Sequence, residues 1–199
     1  MGDNWIKEYE FLRTEINQKI KLHNNLLTFT ITTTVAILAI AASECRIFLN
    51  LLPFAIIIPM SMRIKYYRSA MAKLSAYMIV FIEKEVDGLN WETRNSLLIN
   101  NTLNRGSKKD KNIMLLKYHE CMLLSFACYI IFFFEYMNDI ISEIATNSEI
   151  NIKAVAFILL SPLLLVVWEF QITKQINLMD EMRQYWIVQW SKIKGEEQQ

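Results

Sequence analysis

The stretch LLTFTITTTVAILAIAAS, residues 26–43, decides the fold class of this chain. It contains no charged residue, no glycine and no proline, and aliphatic side chains dominate it. A helix rises about 1.5 Å per residue and the bilayer core is about 30 Å thick, so a run of this length nearly crosses the core. We therefore predict that it forms a membrane-spanning helix together with a few flanking residues.

Three more apolar runs are of the same kind. They cover residues 47–62, 121–134 and 154–168. The run at 121–134 extends to 118–137 if two glutamates near its ends are tolerated, and Glu169 closes the last run. Burial inside a soluble bundle is the alternative, but the runs show almost no amphipathic alternation. With only 4 Gly and 3 Pro in 199 residues, the chain is predicted to be an all-α integral membrane protein with four transmembrane helices.

The distribution of cationic residues predicts the topology. Of the 21 Lys and Arg residues, 19 lie before the first run, between the second and third runs, or after the fourth. The positive-inside rule assigns these segments to the cytoplasm. We expect a multi-pass membrane protein with both termini in the cytoplasm. The net charge of +1 indicates no polyanionic partner.

A cleaved signal peptide is the alternative for the first run, because Ala39-Ile40-Ala41 resembles a cleavage site. The residues before this run carry as many acidic as basic side chains and have a helical pattern of their own. Signal peptides begin with short, net basic segments. We therefore expect the first run to be retained as a span.

Two parts of the chain resemble each other. KLHNNLL at 21–27 aligns with KYHECML at 117–123, and AYMIVFI at 76–82 aligns with QYWIVQW at 184–190. Each pair flanks an apolar hairpin at a matching position. We predict two tandem transmembrane hairpins that arose by duplication, both running in the same direction.

Amphipathic stretches precede the first run and follow the second and fourth. Their apolar residues recur at helical spacing, beginning with Trp5, Tyr9, Leu12, Ile16 and Ile20. We predict that these helices pack together as a cytoplasmic cap. The predicted segments are a cytoplasmic helix at 1–25, a hairpin at 26–62, a cytoplasmic helix and basic loop at 63–117, a second hairpin at 118–170 and a cytoplasmic helix at 171–199.

A basic cluster lies in residues 100–112, NNTLNRGSKKDKN, where the helical periodicity is lost and a loop is predicted. The cluster consists of Arg105, Lys108, Lys109 and Lys111. Contact with anionic lipid headgroups is the favoured interpretation. A nucleotide or oligonucleotide signal is the less favoured alternative, because no aromatic residues are interleaved and GSKK is not a phosphate-binding loop.

The sequence offers little for catalysis. His23 and His119 are the only histidines, and no Ser/His/Asp arrangement is recognisable. We expect no catalytic residues, no cofactor and no metal, although a joint site of the two histidines with Cys121 is an open alternative. Cys121 and Cys128 share a helix face and are predicted to pack as small apolar side chains.

The first run is the most polar of the four. Asn24, Thr28 and Thr32 share one helix face, and Glu44 lies at the predicted outer end. If several subunits surround a conduit, these residues are the pore-lining candidates. Threonine also tolerates lipid by bonding the carbonyl one turn back, so the pattern does not require a pore. Pro53, Pro59 and Pro162 mark predicted bends.

The stretch YEFLRTEI at 9–16, leading into a Thr-rich span and a tight hairpin, resembles small bacterial membrane proteins with the SLATT-type layout of prokaryotic conflict systems. The resemblance covers about the first 90 residues. It implies a pore-forming effector of the bacterial inner (cytoplasmic) membrane that acts when a partner senses infection. We expect this chain to differ from that layout in having four spans and no attached sensor domain.

These features support three hypotheses of different classes. The first is a homo-oligomeric effector that forms a regulated pore in anti-phage defence, with a cytosolic partner protein of the same system. The second is a non-conducting sensor or scaffold that recruits a cytosolic effector. A membrane enzyme is third, because convergent acid–base groups are not recognisable.

Overall fold

The computed structural model describes residues 2–44, 47–86, 88–105, 119–145, 152–176 and 179–197. Within these ranges the chain forms helices joined by turns, and no β-strand occurs there. The elements are α1 (Gly2–Glu44), a 3-10 turn (Ile47–Leu51), α2 (Phe54–Tyr77), a π turn (Met78–Ile82), α3 (Trp91–Arg105), α4 (Glu120–Ala145), α5 (Ile152–Ile176) and α6 (Met179–Glu197).

Four helical segments are long and apolar enough to cross a membrane. They are Asn4–Glu44, Ile47–Ile82, Glu120–Ser142 and Val155–Ile172. The first three contain an apolar run in full and the fourth contains its run from residue 155 onward, so the all-helical class and the four candidate spans are confirmed. The last segment continues past Glu169, which therefore lies within the helix and does not close it.

Helix α1 has 43 residues and is about 65 Å long at the usual rise per residue. It contains neither glycine nor proline after Gly2, so nothing in its backbone interrupts the hydrogen bonds. Of the three prolines, Pro53 precedes α2, where its carbonyl accepts the first helical bonds. Pro59 and Pro162 lie inside α2 and α5, where each removes one backbone donor from the helix.

The chain forms two compact units. Unit 1 comprises Met1–Asn25, Ile64–Tyr118 and Gln175–Gln199, and unit 2 comprises Leu26–Arg63 and His119–Lys174. Unit 2 contains the apolar runs, and unit 1 contains the amphipathic segments that flank them.

The core of unit 1 joins α1, the end of α2 and α6. Leu12 and Ile16, predicted from the helical stripe to be buried, pack with the π-turn residues Met78 and Ile82. Trp190 of α6 covers this cluster and meets the ring of Tyr77 edge-on, with ring centroids 5.4 Å apart. The matched stretches 76–82 and 184–190 therefore contact each other.

The π turn supplies four of the buried residues of this cluster. The backbone N–H of Glu83 donates to the carbonyl of Met78 over 2.9 Å, which spans one residue more than an α-helical bond. The wider turn buries Met78, Val80, Phe81 and Ile82 together. The chain then turns, and Gly88 adopts a φ of +91°, a conformation that favours glycine.

The interior of unit 2 is filled by side chains from α1, α2 and α4. Ala41, Phe54, Ile57, Cys128 and Phe132 are almost completely buried. The 3-10 turn also contacts α4, where the rings of Phe48 and Phe132 lie with centroids 6.3 Å apart. Burial of Cys128 agrees with its predicted role as a small apolar side chain.

Helix α3 was not predicted, and the loop prediction for residues 100–112 is wrong for 100–105, which are helical. The helix begins after Asn90, and its first turn is held by the side chain of Glu83. This support comes from another segment of the chain, so local periodicity does not contain it. Residues 106–112 lie outside the described part of the chain.

Candidate functional site

Unit 2 contains a fully buried carboxyl group, at a position where a charge would be energetically unfavourable. Glu169 lies on α5 between Trp168 and Phe170, and its side chain is 0% exposed. Its Oε2 atom is 2.9 Å from the hydroxyl of Ser61 on α2. An ionisable residue buried within a membrane span is unfavourable unless it has partners, and such residues mark functional positions more often than structural ones.

The Ser61 hydroxyl lies between two acceptors. Its oxygen is 2.9 Å from Glu169 Oε2 and 2.9 Å from the carbonyl oxygen of Ile58. A serine hydroxyl has one hydrogen, so the two acceptors share it or accept it in turn. Through this hydroxyl the carboxyl group of Glu169 on α5 is bonded to α2.

Buried hydroxyl groups accompany this carboxyl group in unit 2. Thr30 on α1 is buried and donates to the carbonyl of Leu26 over 2.8 Å. Within the described residues, the hydroxyls of Thr34 and Ser125 are fully buried without a hydrogen-bond partner. A buried polar group without a partner costs about 1–3 kcal/mol. Thr34 and Ser125 therefore place hydroxyl groups in the interior of unit 2 that do not stabilise it through hydrogen bonds.

A second polar pair holds the first hairpin turn. Asn50 of the 3-10 turn is 1% exposed, and its side-chain amide donates to Glu135 Oε2 of α4 over 2.5 Å. In the sequence, Glu135 is only one of the two glutamates near the ends of the third apolar run. In the structure it fixes the connection between the first two spans to α4.

The predicted pore-lining residues lie on the outside of the single chain. Asn24, Thr28 and Thr32 are exposed on one face of α1, whereas Thr30 and Thr34 face the interior of unit 2. The Thr32 hydroxyl donates to the Thr28 carbonyl over 3.0 Å, the bond that lets threonine tolerate lipid. Glu44, the last residue of α1, is exposed as well. Whether these residues line a pore stays a prediction.

The predicted basic cluster is largely outside the described residues. Lys108, Lys109 and Lys111 all belong to the undescribed segment 106–118. Arg105 is the last residue of α3, and only its backbone is described. Lipid or signal binding by this cluster stays a prediction.

Unit 1 contains a carboxylate network that the sequence did not reveal. The buried Glu92 carboxylate accepts from Arg13 over 2.6 Å and from Ser75 over 2.7 Å. Glu83, which is also buried, accepts from the backbone of Glu92 over 2.7 Å and from both donors of Thr93. These bonds fasten α1, α2 and α3 to one another within unit 1.

The network also affects Tyr9 on α1. Burial raises the pKa of Tyr9, and the negative charges of Glu83 and Glu92 raise it further, whereas Arg13 lowers it. The phenol therefore stays neutral to higher pH than a solvent-exposed tyrosine does. Among the described residues, no group of three His, Cys, Asp or Glu side chains is arranged to hold a metal ion.

Comparison with known proteins adds no assignment, because no family model, no curated protein and no solved structure matches the chain. The features of the molecule that bear on function are therefore the four candidate spans and the exposed polar face of α1 with Asn24, Thr28 and Thr32.

Proposed function

We propose that this chain is a homo-oligomeric effector of the bacterial inner membrane that forms a regulated pore, acting in anti-phage defence with a cytosolic partner. The four candidate spans support the membrane location. In the first and fourth of them, only 17% of the most apolar window is buried within the chain. Most of their surface is thus available to lipid or to further copies of the same protein.

The observation that carries the proposal is the position of the polar face of α1. Asn24, Thr28 and Thr32 are exposed, while the interior of unit 2 is filled by side chains such as Phe132 and Ile57. A conduit along this polar face therefore needs at least one more subunit to enclose it. Polar residues are also favoured at contacts between membrane helices, where they bond across the interface.

The topology is part of the proposal. The concentration of Lys and Arg in the segments of unit 1 supports a cytoplasmic location for these segments and for both termini. Unit 1 would then be the cytoplasmic cap, and the matched stretches support two tandem hairpins derived by duplication. The resemblance to SLATT-type modules supports the defence role.

Ion flux through reconstituted liposomes tests the proposal. Potassium-loaded vesicles with the purified protein should release potassium when a membrane potential is imposed, and the double variant Thr28→Leu/Thr32→Leu should change that rate at least several-fold. Thr30→Val is the matched control, since it removes a hydroxyl from the opposite, buried face of the same helix. Unchanged flux in a correctly assembled double variant would remove the lining assignment.

A scaffold that recruits a cytosolic effector is the second candidate function. It is favoured by exposed apolar side chains in unit 1, including Phe11, which is 70% exposed, and Leu97, which is 56% exposed. A contiguous exposed apolar surface marks contact with another protein, and these side chains are candidates for such a surface. Silent vesicles containing folded protein, together with a monomer in detergent, would favour the scaffold over the pore.

A further inference from the structure

Helix α3 turns polar side chains toward the rest of unit 1 and large apolar side chains outward. On the inner side, Glu92 is 3% exposed and Ser96 is 7% exposed. On the outer side, the exposed fractions are 51% for Trp91, 56% for Leu97 and 65% for Leu98. A surface helix of a soluble domain has the reverse arrangement, with its apolar stripe buried. The outer side of α3 is therefore suited to an apolar environment.

The exposed apolar side chains of α3 form one strip. At about 100° per residue, Trp91, Leu97 and Leu98 fall within an arc of about 120° around the helix. Two further exposed residues, Arg94 and Asn101, lie within the same arc. We call these five residues the outer face. It contains a cation and no acidic side chain, a composition typical of helices that lie in the membrane interface.

Positive charge accompanies the outer face along the sequence. From residue 93 to residue 117 there are six Lys and Arg residues and one acidic residue, Asp110. Arg94 lies on the outer face itself, and the other five cations begin at Arg105, where α3 ends. Anionic headgroups attract basic segments, and tryptophan is enriched at the same membrane interface. The charge of this segment and the exposed side chains of α3 thus match the same kind of surface.

The sequence also places these cations beside a candidate span. Arg105 ends α3, and the candidate span Glu120–Ser142 begins fifteen residues later. Cationic residues this close to a span favour the cytoplasmic side, where the leaflet contains anionic lipid. A protein partner is the alternative occupant of the outer face. Such a partner has to match both the apolar strip and the excess of positive charge, whereas an anionic leaflet offers both.

We propose that α3 is an interfacial helix whose outer face inserts among the headgroups of an anionic lipid leaflet. Trp91, Leu97 and Leu98 contact the upper part of the acyl chains, and Arg94 reaches the phosphate groups. Glu83 holds the first turn of α3 within unit 1, so the contact attaches unit 1 to the lipid surface. The inference goes beyond the proposed pore, because it applies equally to a protein that conducts no ions.

Spin-label accessibility of the full-length protein in nanodiscs tests the proposal. The three native cysteines are replaced by alanine, and a nitroxide label is attached through Asn101→Cys, on the outer face. The nanodiscs contain phosphatidylglycerol and phosphatidylcholine. Collisions with oxygen, which concentrates in lipid, should exceed collisions with a water-soluble nickel chelate by about threefold or more. A label attached through Lys192→Cys, an exposed position of α6, should show the opposite preference.

Two variants in the background labelled at residue 101 separate insertion from mere exposure. Leu97→Gln/Leu98→Gln replaces both leucines by polar side chains of similar helix propensity, and it should reverse the preference for oxygen. Phe11→Gln is the matched control, because it removes a 70% exposed apolar side chain of unit 1 outside α3. This control should change the ratio of oxygen to nickel-chelate collisions by less than about 1.5-fold.

The lipid composition tests the role of charge. Nanodiscs of phosphatidylcholine alone should lower the ratio of oxygen to nickel-chelate collisions at residue 101 by about twofold or more, because the negative headgroups are absent. Lys108→Gln/Lys109→Gln/Lys111→Gln should lower it in the same direction in the anionic nanodiscs. A ratio that is equal in the two lipid compositions would reject anionic lipid as the occupant.

Two further results at residue 101 would overturn the proposal. Frequent collisions with the nickel chelate would mean that the outer face lies in water. Rare collisions with both reagents would mean that a second copy or another protein covers it. Circular dichroism establishes that Leu97→Gln/Leu98→Gln is helical, and if that variant does not fold, the label on the otherwise unchanged α3 and the two lipid compositions decide the question.

Discussion

The start of α3 depends on a single side chain from outside the helix, and removing that side chain is a sharp test of the fold of unit 1. The first N–H groups of a helix have no partner within it. In this protein, Glu83 accepts from the N–H groups of Glu92 and Thr93 over 2.7 and 3.0 Å, and from the Thr93 hydroxyl over 2.6 Å. We predict that Glu83→Ala opens α3 locally.

The magnitude follows from what each bond contributes. The N–H of Glu92 is buried, and leaving it without a partner costs about 1–3 kcal/mol. Losing a cap and a negative charge at a helix N-terminus costs about 1 kcal/mol more. The sum is about 3 kcal/mol, which is on the order of 100-fold in the opening equilibrium of α3.

Hydrogen–deuterium exchange of the protein in detergent measures this opening. Amides of residues 94–99 should exchange about 100-fold faster in Glu83→Ala than in the wild type. Glu85→Ala is the matched control, because the Glu85 side chain is half exposed and accepts from Lys194 over 2.6 Å without touching the first turn of α3 in the contacts of the described residues. An exposed ion pair contributes at most about 1 kcal/mol. Exchange in α3 that rises less than fivefold in Glu83→Ala would refute the capping role.

The remaining predictions concern the buried acid of unit 2 and the aromatic contacts of unit 1. Glu169→Gln should lower stability by about 1 kcal/mol or less, because the amide oxygen of a side chain of the same shape can still accept from Ser61; a loss above about 3 kcal/mol in thermal unfolding would contradict this reasoning. Trp190→Ala should destabilise unit 1 by about 2–3 kcal/mol, because it removes both the ring that packs on Tyr77 and the indole N–H that donates to the Lys73 carbonyl over 3.3 Å. Trp190→Phe should cost only about 1 kcal/mol, because the phenyl ring can still pack on Tyr77 and only the hydrogen bond is lost. Equal losses of the two variants in chemical denaturation would contradict the packing contribution.

The four candidate membrane spans could be predicted because hydropathy is summed over neighbouring residues. Each of the four apolar runs lies in a helix of sufficient length. The apolar stripe that includes Leu12 and Ile16 could be predicted in the same way, since side chains three or four residues apart share a helix face. Both patterns depend only on residues near each other in the sequence, so they can be recognised without knowledge of the fold.

The polar sites could not be predicted in the same way. Glu169 was interpreted as the end of a span, but its partner Ser61 is 108 positions away in the sequence. Helix α3 was missed because Glu83 supplies its cap, although Asn90 before Trp91 was a usable start signal.

The amino-acid sequence by itself determined that this chain is helical and that four of its segments suit lipid, because those properties depend on composition and local spacing. Only the tertiary structure decided which acids are buried and which side chains donate to them. The free energy of a polar side chain depends on the partners that surround it, and here those partners come from distant helices.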